Sequence, residues 1–212
     1  MKLGARSSAL SRAQVKEIQQ EFGVEFDIVY VETTGDIDKN TSLRTMERSD
    51  FFTKELDLMV LTGEIDAALH AAKDLPDPLP QGLVVAFLSQ GLDPRDSLVI
   101  HREPVQVVAT SSVRREEAVK MIYPNCQFVD VRGTIEERLA KEVDAVVVAE
   151  AALIRLGLTH LPRIFLPGLT APMQGKLAIV CRNCPEMIAR LLGSTPGATN
   201  LPTNLVCRNC NR

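Results

Sequence analysis

The run His70-Ala71-Ala72-Lys73-Asp74-Leu75-Pro76 sets a lysine beside an aspartate just where a short apolar segment, Ala67–Leu69, runs out. The carboxyl end of a strand is where open α/β sheets bind ligands, so an acid placed there is available for chemistry rather than for packing. The plain alternative is an exposed ion pair, which contributes little to stability. Further along come Thr110-Ser111-Ser112-Val113-Arg114-Arg115, then Arg132-Gly133-Thr134 and Arg138. One carboxylate is thus set against a series of arginines, the pattern of a locally positive cleft for a polycarboxylate ligand with one acid left to work on it.

Arg114 and Arg115 open the helix predicted after Ser112. Cations in a first turn oppose the helix dipole by a few tenths to about 1 kcal/mol, so stability alone would place acids there. An anion resolves the conflict, because first-turn N–H groups, serine hydroxyls and guanidinium forks all favour it. Thr134 and Glu137 have capping-box spacing, which puts Arg132 beside a helix start and Arg138 one turn inside it. Arg6-Ser7-Ser8 supplies another cation and a capping hydroxyl at the first strand-to-helix junction. Solvated arginines pairing with Glu136 and Glu137 are the bland reading of the same residues.

Composition narrows the classes. At 212 residues the chain can bury a substantial core, and its net charge of −3 gives no general attraction to nucleic acid. It has no Trp and 2 Tyr, too few for a base-stacking platform. No run approaches the ~18 apolar residues of a membrane helix, and Met1–Arg6 has no apolar leader core, so a cytoplasmic protein with no membrane partner is expected. The three His are isolated and no phosphate-cradling glycine loop occurs. Four of the 5 Cys form a repeat, Val180-Cys181-Arg182-Asn183-Cys184 and Val206-Cys207-Arg208-Asn209-Cys210. Such pairs suit tetrahedral zinc, ordinary thiols or cofactor attachment; the gap between them exceeds usual zinc-ribbon spacing, and no metal is expected.

The elements that must position these residues alternate. Strands are predicted at Lys2–Ala5, Glu25–Val31, Ile65–Leu69, Val105–Ala109, Gln127–Val131, Ala145–Ala149 and Leu177–Cys181. Helices are predicted at Ser8–Phe22 (Leu10, Ala13, Val15, Ile18 and Phe22 inward), Phe52–Leu61, Ser112–Ile122, Ile135–Lys141, Ala151–Leu156 and near Met187–Leu192, with a turn at Thr33–Asp36. Alternation of this kind implies parallel, helix-covered sheets. Asp93-Pro94-Arg95-Asp96 marks a crossing between two such sets. The expected division is 1–90 plus 174–192 as one lobe and 93–172 as the other, with 193–212, rich in Gly, Ser, Thr, Pro and Asn, as a loosely docked tail.

The ordered motifs closely resemble the porphobilinogen deaminase (hydroxymethylbilane synthase) family of tetrapyrrole synthesis. They are Gly4-Ala5-Arg6-Ser7-Ser8-Ala9-Leu10, Thr34-Gly35-Asp36, Phe52-Thr53-Lys54-Glu55-Leu56, Gly63 through Pro76, Asp93-Pro94-Arg95-Asp96, Thr110–Arg115, Arg132-Gly133, Arg138-Leu139, Leu153–Leu158 and Gln174-Gly175. The resemblance implies an α/β fold of two periplasmic-binding-protein-like lobes with a cleft between them, the third domain being absent or vestigial here. It implies a transferase that joins four porphobilinogens head to tail with loss of ammonia, giving hydroxymethylbilane for heme and porphyrin synthesis, and acting as a monomer. The alternative is a two-lobed binding protein for a tetrapyrrole precursor or other polycarboxylate, with catalysis reduced. By match, Asp74 with Lys73 is catalytic. Arg6, Ser8, Thr110, Ser111, Ser112, Arg114, Arg115, Arg132, Gly133, Arg138 and Arg155 bind substrate and a dipyrromethane cofactor. The family's Gly-Gly-Cys-x-x-Pro attachment loop is not present; Cys207 or Cys210, somewhat short of the expected distance past Gln174-Gly175, is the candidate attachment point, the alternative being a primer held non-covalently by the arginines. Ala71 stands where the family has serine, and Glu150 adds a charge beside the Arg155 helix.

Overall fold

A computed structural model describes residues 1–38, 41, 42, 44, 50–184 and 193. The chain divides into two compact units, Met1–Thr34, Arg48–Gln90 and Lys176–Arg212 forming the first, Gly35–Glu47 and Gly91–Gly175 the second. The segment 35–47 groups with the second unit, although in sequence it lies inside the first.

In the first unit, β1 (Lys2–Arg6), β2 (Asp27–Val31), β3 (Ala67–Ala71), β4 (Leu83–Leu88) and β10 (Leu177–Arg182) form one sheet in the order β2-β1-β3-β10-β4. Helix α1 (Ala9–Phe22) links β1 to β2, and the two strands run parallel. It starts where Ser8 accepts a hydrogen bond from the Ser11 N–H at 3.2 Å and stops at Gly23, whose φ of 66° few other residues adopt. A one-turn helix, α2 (Thr34–Ile37), occupies the predicted turn, and the Thr34 N–H donates to Glu55 at 2.9 Å. The inward face of α1 carries Ser11, Gln14, Val15, Ile18 and Phe22, while Leu10 and Ala13 are only half-buried. Val15, Ile18 and Phe22 pack with Leu3, Leu69, Leu177 and Ile179; each such side chain contributes about 1.5–3 kcal/mol by leaving water. Helix α3 (Lys54–Thr62) closes the other face with Leu56 and Val60 against Ile65, Ala68 and Val180.

The second unit holds β5 (Asp96–Ile100), β6 (Val107–Ala109), β7 (Gln127–Val129), β8 (Ala145–Ala149) and β9 (Arg163–Phe165) in the order β7-β6-β8-β5-β9. Helices α4 (Val113–Lys120), α5 (Ile135–Leu139) and α6 (Glu150–Arg155) follow β6, β7 and β8. All five residues of β8 are buried, as a central strand covered on both faces requires.

The all-parallel expectation needs correction. Strands joined by crossover helices do pair in parallel (β1 with β2 and β3, β6 with β7 and β8). β10 instead runs antiparallel to β3 and β4, and β5 antiparallel to β8 and β9. These strands sit next to the points where the chain passes from one unit to the other. They enter their sheets without a preceding crossover helix, so nothing imposes the parallel direction. Strands β4, β5 and β9 lie in segments where helix–strand alternation gave no signal. The predicted helix near Met187–Leu192 and the tail lie outside the described residues.

Candidate active site

In the first unit, β3 ends at Ala71 and the backbone tightens into a single 3₁₀ turn, Ala72–Asp74, closed by the Leu75 N–H on the Ala72 carbonyl at 3.4 Å. The Ala72 N–H is held by the Lys176 carbonyl at 3.0 Å. The turn lifts Lys73 and Asp74 from the carboxyl end of a buried strand, and both side chains are half-buried. No hydrogen bond or ion pair among the described residues engages the Asp74 carboxylate, whereas Lys73 has partners. A half-buried carboxylate with unused acceptors is equipped to take N–H groups or a cation from a ligand. Four residues earlier, His70 faces inward with Nε2 3.4 Å from Asp57 of α3, both side chains being almost fully buried. Arg6, at the end of β1, lies over the Phe52 ring at 4.7 Å, and Ser8 is spent as the α1 cap.

In the second unit, Ser112 caps α4 without a side-chain hydrogen bond, and Thr110 is buried with its hydroxyl 3.3 Å from the Ser112 N–H. Ser111 is committed to Asp130, to which its hydroxyl donates, and to the Val131 N–H, which it accepts at 2.9 Å. The anion that the two first-turn arginines call for is partly internal. Asp96, at the start of β5 and 2% exposed, accepts from Arg115 Nε at 3.0 Å and Nη2 at 2.7 Å, and its other oxygen lies 2.7 Å from Arg114 Nη1. Burial works to raise the Asp96 pKa, but the charge and hydrogen bonds of Arg115, with Gln174 and Arg114, outweigh it and hold the carboxyl below its usual range. Arg115 is thereby largely spent; Arg114, with a third of its side chain exposed, keeps donors for a ligand.

The other arginines are held by backbone carbonyls. Arg132 Nη2 donates to Gly35 at 3.2 Å and Asp38 at 2.7 Å, Arg138 Nε to Gly133 at 2.9 Å, and Arg155 Nη2 to Gly175 at 2.8 Å. Each contact fixes the orientation of a guanidinium, whose planar fork of donors suits carboxylates. Gly133 has a φ of +94°, and a Cβ there would come 2.3 Å from Glu137, the residue that completes the Thr134 capping box. Its side-chain-free backbone is required for the helix start as well as for any close approach of a ligand.

For several side chains nothing in the sequence indicated the partner. Gln174 Nε2 donates to Asp96 at 2.9 Å and to the Pro94 carbonyl at 2.6 Å. Glu150, unexplained as a charge beside an apolar run, accepts from Arg163 at 2.7 and 2.8 Å and from Ser97 at 2.5 Å. Arg44 pairs with buried Glu116 of α4. Only Glu150 carried a signal of this kind, a charge beside an apolar run; the partners in each case lie far away in sequence. Cys181 is buried in β10 with its thiol pushed up to about 11 by burial, and Cys184 is half-buried. No group of three or more His, Cys, Asp or Glu among the described residues gathers as a metal site. Cys207 and Cys210 lie outside the described residues. No helix among the described residues is long and apolar enough to cross a membrane.

Two five-stranded mixed sheets, the chain passing to the second unit and back, define the two-lobed α/β class of the periplasmic binding proteins. The described fold is similar to an ABC transporter periplasmic substrate-binding protein from Coxiella burnetii, with a TM-score of 0.53, 11% identity and 93% of each chain covered. It is also similar to a putative lipoprotein from Actinomyces odontolyticus, with a TM-score of 0.51, 11% identity, 90% of this chain and 86% of that one covered. Within that class, the chain belongs to the porphobilinogen deaminase family: residues 1–190 match the model described as "Porphobilinogen deaminase, dipyromethane cofactor binding domain". It is 37% identical over 195 residues to a probable porphobilinogen deaminase of Chlamydia trachomatis, covering 84% of this chain and 80% of that relative. It is 39% identical over 200 residues to the porphobilinogen deaminase of Caldicellulosiruptor saccharolyticus, covering 87% of this chain and 69% of that one. The family makes the chain a transferase of tetrapyrrole biosynthesis whose matched region binds a dipyrromethane cofactor.

Proposed function

We propose that the protein condenses porphobilinogen head to tail, with loss of ammonia, toward hydroxymethylbilane. The observation that carries the reading is the half-buried Asp74 carboxylate at the end of β3, with no partner among the described residues. A carboxyl group there can hand the departing amine its proton. As a carboxylate it can then balance the cation that the leaving ammonia creates on the pyrrole methylene. Lys73, beside it, is assigned a supporting charge.

Arg114, Arg132, Arg138 and Arg155 are assigned to the acetate and propionate groups of substrate and cofactor, with Arg6, Arg115, Ser8, Thr110, Ser111, Ser112 and Gly133 shaping those contacts. The chemistry of the residue types fits dipyrromethane: guanidinium groups suit its carboxylates, and a carboxylate such as that of Asp74 suits its pyrrole N–H groups. When bound, that group supplies the end to which the first substrate pyrrole is joined. Cys207 or Cys210 is proposed as its attachment point, and the chain is proposed to act as a monomer.

The test is Asp74→Asn. The amide keeps the shape of the side chain and loses the transferable proton and the charge, so a folded variant that forms no product from porphobilinogen is expected. Product formation within a few-fold of the parent would remove Asp74 from the mechanism.

A further inference from the structure

Two guanidinium groups side by side in the first turn of α4 repel each other and oppose the helix dipole, yet Arg114 and Arg115 converge on one point. That point is Asp96. Its Oδ1 accepts from Arg115 Nε and Nη2 at 3.0 and 2.7 Å and from Gln174 Nε2 at 2.9 Å; its Oδ2 lies 2.7 Å from Arg114 Nη1. Arg114 Nη1 also donates to the Leu169 carbonyl at 2.7 Å. One carboxylate, 2% exposed at the head of β5, thus orients both arginines, and the cluster keeps one net positive charge. Gln174 ties the carboxylate to the Pro94 carbonyl at 2.6 Å, so the two chain segments entering and leaving the second unit fix its position.

We propose that Asp96 is a positioning residue for anion recognition: it locks Arg115 as a buttress and holds Arg114 in the orientation that meets a ligand carboxylate. The proposal rests on the assignment of Arg114 to ligand carboxylates. The geometry makes a prediction opposite in sign to net charge. Removing a negative charge beside two arginines strengthens anion binding if the field alone matters. Losing the carboxylate oxygen that forms the 2.7 Å ion pair with Arg114 weakens it, because a restraint on the side chain is lost and its freedom must then be given up on binding. In Asp96→Asn the Oδ1 acceptor for Arg115 survives, while an NH₂ group replaces the charged Oδ2, which removes the ion pair and leaves two nitrogen donors in close contact.

The experiment titrates the whole protein calorimetrically with benzenehexacarboxylate, a non-reacting polycarboxylate probe, and measures porphobilinogen turnover beside it. Asp96→Asn is expected to bind the probe about tenfold more weakly, a loss of about 1.4 kcal/mol, and to raise KM with kcat nearly retained. In an Arg114→Leu/Arg115→Leu background the same change is expected to alter affinity by less than about twofold, since coupled residues are non-additive and independent ones add. A structural role alone would give equal losses in both backgrounds. Parental or tighter binding by Asp96→Asn, with the arginine variant weakened, overturns the positioning role and leaves the arginine assignment standing. An arginine variant with parental affinity and parental KM overturns the assignment itself. Should Asp96→Asn not fold, Asp96→Glu moves the carboxylate outward by one methylene: weaker probe binding supports the proposal and parental affinity overturns it.

Discussion

At the scale of single residues, the arginines divide by what holds them. Arg115 is 12% exposed at its side chain and faces a buried carboxylate, whereas Arg114, in contact with the same carboxylate, is 33% exposed. Removing one member of a buried pair leaves the other charge without compensation, which costs about 3–5 kcal/mol in a dry site. Arg115→Leu is therefore expected to lower the unfolding free energy by roughly 3 kcal/mol. Arg114→Leu is expected to leave stability nearly unchanged while weakening polycarboxylate binding by roughly 1.5–3 kcal/mol, the range for charge-assisted hydrogen bonds. Denaturant melts and probe titrations on the two variants separate these effects. Equal stability losses in both would show that the two side chains are equivalent supports of the fold.

At the scale of elements, the candidate residues of each unit depend on how strands end. β3 hands its chain to a 3₁₀ turn, α4 begins with two cations, and α5 begins with a complete capping box. The return crossing depends on Gly175, which has a φ of +88° and whose Cβ, if present, would lie 2.4 Å from the Leu92 carbonyl oxygen. The neighbour is backbone, pinned by the Leu92 N–H on the Gly175 carbonyl at 3.1 Å, so neither side can yield cheaply. Gly175→Ala combines a left-handed backbone with that clash and is expected to cost about 2–4 kcal/mol. Because Arg155 is held by the same carbonyl, its guanidinium should lose its fixed orientation as well, and with it the anion contact proposed for it. A thermal midpoint within a degree of the parent would show that the crossing has slack the structure does not suggest.

At the scale of the whole molecule, depressed carboxylates are unevenly shared. Asp93, Asp96, Asp130, Asp144 and Glu150, all in the second unit, lie below their ordinary values. Arg163 and Ser97 hold Glu150 down against its burial; for Asp130, burial pushes upward and the Ser111 and Ser42 hydroxyls prevail. In the first unit, Glu55 is lowered by Thr34 against its burial, while Glu21 is raised by burial and by Glu17. A lowered folded pKa means that the unfolded chain binds more protons near pH 4, so the stability contribution is complete above the ordinary carboxylate range and is lost as pH falls through the folded values. Acidification below about pH 4 should therefore open the second unit before the first. Hydrogen exchange compared at neutral and acid pH reads this directly: protection in β5, β6 and β8 should fall ahead of β1 and β3. The reverse order would mean that core packing, not carboxylate ionisation, sets the acid limit.

The sequence alone determined the elements whose apolar period is strong and whose ends carry caps: α1 between Ser8 and Gly23, the buried run Ala145–Ala149, and the strand end at Lys73-Asp74. Those features are local, because a helix start or a strand's apolar run is decided within a few residues. It also carried the family, through motifs kept in order along the chain. Strand direction was decided only by tertiary structure: β10 reads like its parallel neighbours and β5 gave no strand signal, yet both enter their sheets antiparallel next to the points where the chain passes between units. The partners of the charges were likewise invisible. Arg114 and Arg115 called for an anion, and the fold supplies Asp96, while Glu150 finds Arg163 and Ser97 on other strands. A pairing between residues far apart in sequence leaves no local pattern, since each partner looks like an ordinary polar side chain until the sheet brings them to within 3 Å.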